Sequence, residues 1–245
     1  MKALILAAGY GTRLEAVVKD FPKALVMVGK KTILDYLIDQ IVDISAIDGV
    51  YLATNSKFYN HFKDWRETRP DVKIEILDDQ TSSNEERLGA IGDLRLLIEH
   101  FNIQDDILVC ASDTIVQPRL APFIESFKNK SASWICVRRD PDEEDRKHRG
   151  IIAVDDEMRV ISFEEKPEHP QSDLAAVPFY IYPKEVVPRV KEYLDADGIA
   201  DAPGHFVAWL YQKEPVYAYN INGNVMDIGN PESLAKARKI YGHSS

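Results

Sequence analysis

The sequence predicts an α/β fold: a doubly wound, mainly parallel mixed sheet with an inserted β portion. Three observations predict it. Short apolar runs of β-forming residues alternate with segments of helical periodicity over about the first 138 residues. After Arg138 the alternation gives way to closely spaced strand-like runs and a charged stretch. No internal repeat and no Pro/Gly-rich linker divides the 245 residues, so one domain over 1–245 is expected, with halves of about 1–138 and 139–245.

The elements follow in order. Residues 3–8 are apolar and form a first strand. With Lys2 before them they look superficially like a secretion signal, but the run is short and ends in a glycine turn, not a cleavage site. Residues 32–44 place Ile33, Leu34, Leu37, Ile38 and Ile41 at helical spacing. Strands are expected at 50–54, 72–77, 107–111 and 134–137, with helices at 56–68 and 88–101 between them. Strands separated by helices require crossover connections, hence parallel neighbours. Pro118 is expected in the first turn of another helix. The run D-P-D-E-E-D-R-K-H-R at 140–149 reads as a solvated loop or flap. Residues 150–154 and 159–163, separated by D-D-E-M, read as a hairpin. A strand at 175–182 precedes a helix expected from Pro183, and 195–204 reads as a loop before a helix near 206–212. A strand at 216–221 and a helix at 231–241 close the sequence.

Composition narrows the function. With 45% hydrophobic and 29% charged residues the chain is of ordinary globular type, and no apolar stretch approaches the ~18–20 residues of a membrane span. A net charge of −10 argues against nucleic acid or an anionic membrane as partner. Cys110 and Cys136 lie in apolar runs without metal or redox spacing, which predicts buried free thiols and, by default, a cytoplasmic protein. A small anionic ligand stays compatible, provided donors and cations concentrate locally.

They concentrate near the N-terminus. L-A-A-G-Y-G-T-R-L at 6–14 sets glycines at a strand's carboxyl end, where backbone N–H groups can approach a phosphate, and Arg13 adds a planar fork of donors. It is neither a dinucleotide fingerprint nor a Walker A loop. Taken alone it is equally a tight turn with a surface arginine. Ten residues after Arg13 comes F-P-K-A-L, in which Pro22 stiffens the chain before Lys23.

The pair resembles the nucleotidyl transferase family that makes nucleoside-diphosphate sugars, which opens with G-x-G-T-R, a short spacer and P-K-x-L after a strand ending in A-A-G. The resemblance implies a Rossmann-like, GT-A-like fold with a nucleotide-binding first half and an acceptor-binding second half. It implies that Leu6, Ala8, Gly9, Gly11 and Thr12 wrap an NTP, and that Arg13 and Lys23 meet its phosphates. It extends along almost the whole sequence. I-L-V-C-A-S-D delivers Asp113 where the family has a metal-binding aspartate, and M-D-I-G-N-P-E places Asp227 as the second. Two carboxylates from distant strands suit Mg²⁺, which keeps waters and substrate phosphates in its shell. Plain turn or cap aspartates are the bland alternative for both. F-E-E-K-P at 163–167 matches the substrate-side motif, which implies Gly150, Glu165 and Lys166 on the acceptor, Lys166 holding its phosphate. Gln80 and Gly89 stand where the family reads the base, although T-S-S-N-E-E-R between them departs from its pattern, and Gln80 reads as readily as a loop residue. Arg149 replaces the aromatic residue common before Gly150; it fits an acidic or doubly phosphorylated acceptor, or a side chain in solvent.

The implied activity is Mg²⁺-dependent coupling of an NTP to a sugar 1-phosphate, with catalytic roles for Arg13, Lys23 and Lys166. The alternatives are cytidylyl transfer to a phosphoalcohol or phosphonate, and a non-catalytic subunit, which the retained basic and acidic residues disfavour. A glycosyltransferase of related architecture leaves the paired G-x-G-T-R and P-K motifs unexplained. A homo-oligomer is compatible with the sequence. With no hexapeptide repeat, a trimerising β-helix is not expected.

Overall fold

An apolar run flanked by a turn must bury itself, and the first one does so at the centre of the molecule. The structure is a computed structural model that describes residues 1–14 and 17–242. β1 (Lys2–Leu6) has Ala3, Leu4 and Ile5 fully buried. A small hairpin of β2 (Met27–Val28) and β3 (Lys31–Thr32) leads into α1 (Ile33–Val42). Thr32 and Asp35 close a capping box at its start, an arrangement that stabilises a helix by roughly 1 kcal/mol. Then follow β4 (Gly49–Thr54), α2 (Tyr59–Glu67), β5 (Ile74–Asp78), α3 (Ala90–His100), β6 (Ile107–Ala111), β7 (Thr114–Val116), α4 (Ala121–Asn129) and β8 (Ser133–Arg139). The second half contributes α5 (Glu143–Arg146), β9 (Gly150–Val154), β10 (Val160–Glu165), β11 (Leu174–Tyr182), α6 (Arg189–Asp195), α7 (Pro203–Leu210), β12 (Val216–Asn220), β13 (Val225–Asp227) and α8 (Pro231–Tyr241).

Both halves feed one nine-stranded mixed sheet. β5, β4, β1 and β6 run parallel in that order. β11 then adds antiparallel to β6, followed by β8 and β12. β11 does two jobs along its length. Phe179–Tyr182 pair with β6, whereas Leu174 and Ala175 pair with β9, and the register breaks between Val177 and Tyr180. Pro178, which has no N–H to give, sits in that break. Because β11 is antiparallel to β6, its first residues overhang the carboxyl end of β6 and carry the β9–β10 hairpin there. The inserted β portion thereby faces the loops that leave β1 and β6.

Helices cover both faces of the sheet, the doubly wound arrangement expected. One apolar cluster joins Leu34, Ile38, Phe62 and Phe123 from α1, α2 and α4 to the sheet. Another joins Leu94, Leu97, Val190 and Phe206 from α3, α6 and α7. A third, smaller cluster packs Leu14, Val28, Ile115, Met226, Ile228 and Leu234, so that α8 and the β7–β13 pair clamp the opening loop. Among the described residues no helix is long and apolar enough to cross a membrane.

Several local expectations shift. Pro118 precedes the helix it was expected to open; Pro122 occupies the first turn of α4, and Gln40 of α1 accepts from the Leu120 N–H at 2.9 Å. The segment after Pro183 is a run of turns, and α6 starts only after Pro188. The charged run at 140–149 contains α5, capped by Asp142, and α7 opens at Pro203 inside the expected loop. The strands β2, β3, β7 and β13 are each two or three residues long and carry no alternation that a sequence reading could use.

Candidate active site

The sheet order reverses at β1: β4 and β5 lie on one side, and β6 with everything beyond it on the other. A crevice at the carboxyl ends of the strands is the physical consequence of such a reversal. Here it is a cavity of about 620 Å³ lined by residues 6–13, Lys23, Asp113, Lys166 and Asp227, among others.

The opening loop is held from below. The buried Asn55 side chain donates to the Ala8 carbonyl at 2.8 Å, and the Ala7 N–H donates to the Ala53 carbonyl at 2.9 Å. A 3-10 turn over Thr12–Leu14 drives Leu14 into the third apolar cluster and leaves Arg13 exposed on the cavity side. Leu6, Ala8, Gly9, Gly11 and Thr12 all line the cavity as well.

A second 3-10 turn, Lys23–Leu25, starts directly after Pro22, whose extended backbone aims Lys23 back at the loop. Its ammonium lies 2.7 Å from Asp113 Oδ2 and 3.7 Å from Asp227 Oδ1. The two aspartates meet because β13 pairs antiparallel with β7, setting Asp227 opposite Thr114, while the Ile228 N–H donates to the Asp113 carbonyl at 3.0 Å. Burial, and next the Asp113 carboxylate, push the Asp227 carboxyl above its ordinary range; Lys23 partly offsets them. Among the described residues no three His, Cys, Asp or Glu side chains converge as a closed metal cage.

The acceptor-side residues expected from the sequence divide. Lys166 lines the cavity from a left-handed position (φ 49°), its N–H donating to the Arg149 carbonyl at 3.0 Å. Glu165 and Gly150 lie just behind that wall and do not line it. The Glu165 carboxyl is mostly buried, 3.9 Å from the Lys166 ammonium, and burial raises its pKa against the opposing pull of Lys166 and His205. It packs so tightly against α7 that a β-carbon on Gly204 would collide with it.

The base-side residues also divide. Gln80 is exposed, left-handed (φ 64°), tied through its backbone N–H to Asp78, and does not line the cavity. Gly89 does line it, again left-handed (φ 78°), with the Ala200 carbonyl where a β-carbon would go. Residues without an assignment in the sequence reading join it there: Tyr10, Asn84, Arg87 and Asp93. Tyr10 bonds to Thr81 at 2.9 Å and so ties the opening loop to the loop after β5. Asp93 and Asp79 are both buried, and the Asp79 Oδ2 and Asp93 Oδ1 atoms have no hydrogen-bond partner among the described residues. Burial, with Asp79 adding to it, lifts Asp93 to about 8. An acid on the apolar face of a predicted helix was the available signal for Asp93. Arg87 opens the glycine-bearing run 87–93 that stands where the family reads the base, whereas for Asn84 there was no signal.

A family model described as Nucleotidyl transferase matches residues 2–244. The chain belongs to the nucleotidyl transferase family. Among its relatives, the bifunctional protein GlmU of Methanocaldococcus jannaschii is 28% identical over 98% of this chain and 54% of its own length. A protein of Sulfolobus acidocaldarius named as a mannose-1-phosphate guanyltransferase is 27% identical over 96% of this chain and 62% of its own. The chain thus spans little more than half the length of these relatives. The UTP-bound UGPase of Acinetobacter baumannii superposes with a TM-score of 0.80 at 21% identity, over 100% of this chain and 94% of that one, which establishes a shared fold.

The run at 140–149, expected as a solvated loop or flap, is instead tied down by ion pairs and hydrogen bonds. Asp140 is almost fully buried and receives Arg138 Nη2 at 2.9 Å, with Arg149 Nε 3.2 Å away. Arg138 also donates to the Val225 carbonyl at 2.8 Å, and Arg146 to the Asp140 carbonyl at 2.8 Å. Arg138 and Arg149 both line the cavity, so Arg149 is not a solvent-facing side chain.

Proposed function

We propose that this chain is a Mg²⁺-dependent nucleotidyltransferase that couples an NTP to a sugar 1-phosphate, giving an NDP-sugar and pyrophosphate. The observation that carries the reading is the meeting of Asp113, Asp227 and Lys23 at the mouth of the glycine loop, inside a cavity large enough for two ligands. The relative named for guanylyl transfer to mannose 1-phosphate favours a sugar phosphate over a phosphoalcohol or phosphonate.

Mg²⁺ fits the donor set. Two carboxylates this close need a cation between them, and in the structure Lys23 supplies the charge. Two protein ligands on an open wall, without a cage, match an ion that takes one or two carboxylates plus waters and phosphate oxygens. Asp113 and Asp227 would hold it, and when bound it neutralises charge on the phosphates. Leu6, Ala8, Gly9, Gly11 and Thr12 would wrap the nucleotide, with Arg13 and Lys23 on its phosphates. Gly89 and the neighbouring wall would meet the base; Gln80 would reach it only by a change of loop conformation. Lys166 would bind the acceptor phosphate. Gly150 and Glu165 would support the acceptor from behind the wall.

In the reaction an oxygen of the acceptor phosphate attacks the α-phosphorus in line, and the bond from that phosphorus to the β-phosphate oxygen breaks. The nucleophile is already anionic, so no strong base is required. The obstacle is repulsion between polyanions, about 4 kcal/mol per unit pair at 4 Å and an effective dielectric of ~20. Fixed cations on both sides of the reacting phosphorus offset it without reorganising, which is how such sites accelerate phosphoryl chemistry. A panel of four NTPs against hexose 1-phosphates, read by pyrophosphate release with Mg²⁺, tests the proposal. Silence across the whole panel from folded protein would refute it.

A further inference from the structure

We infer that Arg149, anchored by Asp140 and flanked by Arg138, receives a second anionic group of the acceptor, a carboxylate or phosphate separate from the phosphate that reacts. The inference rests on the nucleotidyltransferase reading of the cavity and specifies its acceptor.

The charge pattern leads there. Asp140 is 4% exposed, and two guanidinium groups share its single carboxylate. Arg138 alone would satisfy it, since Arg138 pairs with Asp140 Oδ2 and also reaches the Val225 carbonyl. Arg149 is surplus to that structural need. It is three-quarters buried, and its Nε–H lies near Asp140 without alignment for a hydrogen bond. Among the described residues its two terminal nitrogens have no protein acceptor, yet Arg149 faces the cavity. A half-satisfied, partly desolvated guanidinium is costly unless a ligand completes it.

Donor geometry, and not position, distinguishes this cation from the one assigned to the reacting phosphate. Arg149 and Lys166 are adjacent at the open end of the β9–β10 hairpin, joined by the Lys166 N–H to Arg149 carbonyl bond. Arg138 and Arg149 share Asp140 and Lys166 has Glu165 3.9 Å away, so three cations stand at this end against two carboxylates, while Lys23 is matched by Asp113 and Asp227. Lys166 suffices as a point charge for one phosphate. Arg149 presents a planar fork held from one side by Asp140, suited to a bidentate oxyanion. A hexose 1-phosphate whose sugar carries no further charge would leave that fork unpaired in the cavity.

The experiment compares matched acceptors in gluco, galacto and manno configurations with all four NTPs: hexose 1-phosphate, hexuronic acid 1-phosphate and hexose 1,6-bisphosphate. Wild-type protein should show kcat/KM about tenfold or more higher for one of the doubly anionic acceptors than for its neutral parent. Which of the two is preferred distinguishes carboxylate from phosphate. R149Q should lower kcat/KM more for the doubly charged acceptor than for its hexose 1-phosphate parent and so abolish that preference, and R149K should restore part of it by keeping charge without the fork. No preference in the wild type, or equal losses for all acceptors in R149Q, would overturn the inference and assign Arg149 to the reacting phosphate. Absence of pyrophosphate from every combination would instead remove the activity on which the inference rests.

Discussion

Replacing Asp93 with asparagine should stabilise the protein. Asp93 is buried on α3, with the buried Asp79 acting on it electrostatically, and its carboxyl is lifted from an ordinary 3.8 to about 8. Burial is the main cause and the Asp79 charge the next. An acid whose folded pKa is raised gives stability that is complete below its unfolded pKa, near 4. That stability drains as pH climbs toward 8 and is gone above it. Each pH unit in that window costs about 1.4 kcal/mol, so holding the proton at pH 7 costs about 4 kcal/mol as an upper figure. The substituted asparagine carries no proton to hold, and its amide can still donate to the Asp79 carboxylate. Urea unfolding of wild type and Asp93→Asn at pH 5, 6, 7 and 8 measures the difference. The variant should gain about 2–4 kcal/mol at pH 7–8, with a flatter profile over the whole range. Parallel profiles, or a variant less stable than wild type at pH 8, would refute the raised pKa of Asp93.

The remaining predictions concern the cavity. Asp113→Asn should lower turnover by about 10²-fold or more while Tm changes little, because the side chain sits at a partly open strand end; full turnover from the folded variant would exclude it from the metal site. Lys166→Ala, at a half-exposed position, should raise KM for the acceptor, leave KM for the NTP unchanged and alter stability by less than about 0.5 kcal/mol. An unaltered acceptor kcat/KM would contradict its assignment. Gly89→Ala combines a left-handed backbone with a collision against the Ala200 carbonyl, and should cost about 1–3 kcal/mol in chemical denaturation and weaken NTP binding. A variant matching wild type in both would show that the turn before α3 does not shape the cavity.

Much of the sheet was legible because each signal is local. An apolar run with a turn behind it reports a strand within five or six residues, and β1, β4 and β6 lie within about two residues of expectation. The last helix was read at its observed bounds because Asn230 and Pro231 cap it in sequence as they do in space. Prolines misled where two competed. Pro118 and Pro183 each precede a second proline, and in both cases the later one, Pro122 or Pro188, marks the helix start. Residues 140–149 look solvated by composition, yet Asp140 is buried because Arg138, two residues before it, and Arg149, at the far end of the same run, fold back to compensate its charge.

The opening glycine loop, Arg13 and Lys23 were candidates in the sequence through the resemblance that the paired G-x-G-T-R and P-K motifs carry, and these short motifs are legible because backbone conformation and proline stiffness act over a few residues. The nearness of Asp227 to Asp113, the withdrawal of Gln80, the placing of Glu165 behind the wall and the presence of Arg87, Asp93 and Arg138 on it were decided by tertiary structure. Each depends on pairing or packing between segments distant in sequence: β13 on β7, β9 on the overhang of β11, α3 against the chain at Ala200. Side-chain chemistry names candidates, but only long-range hydrogen bonding and burial determine which of them face the same water-filled space.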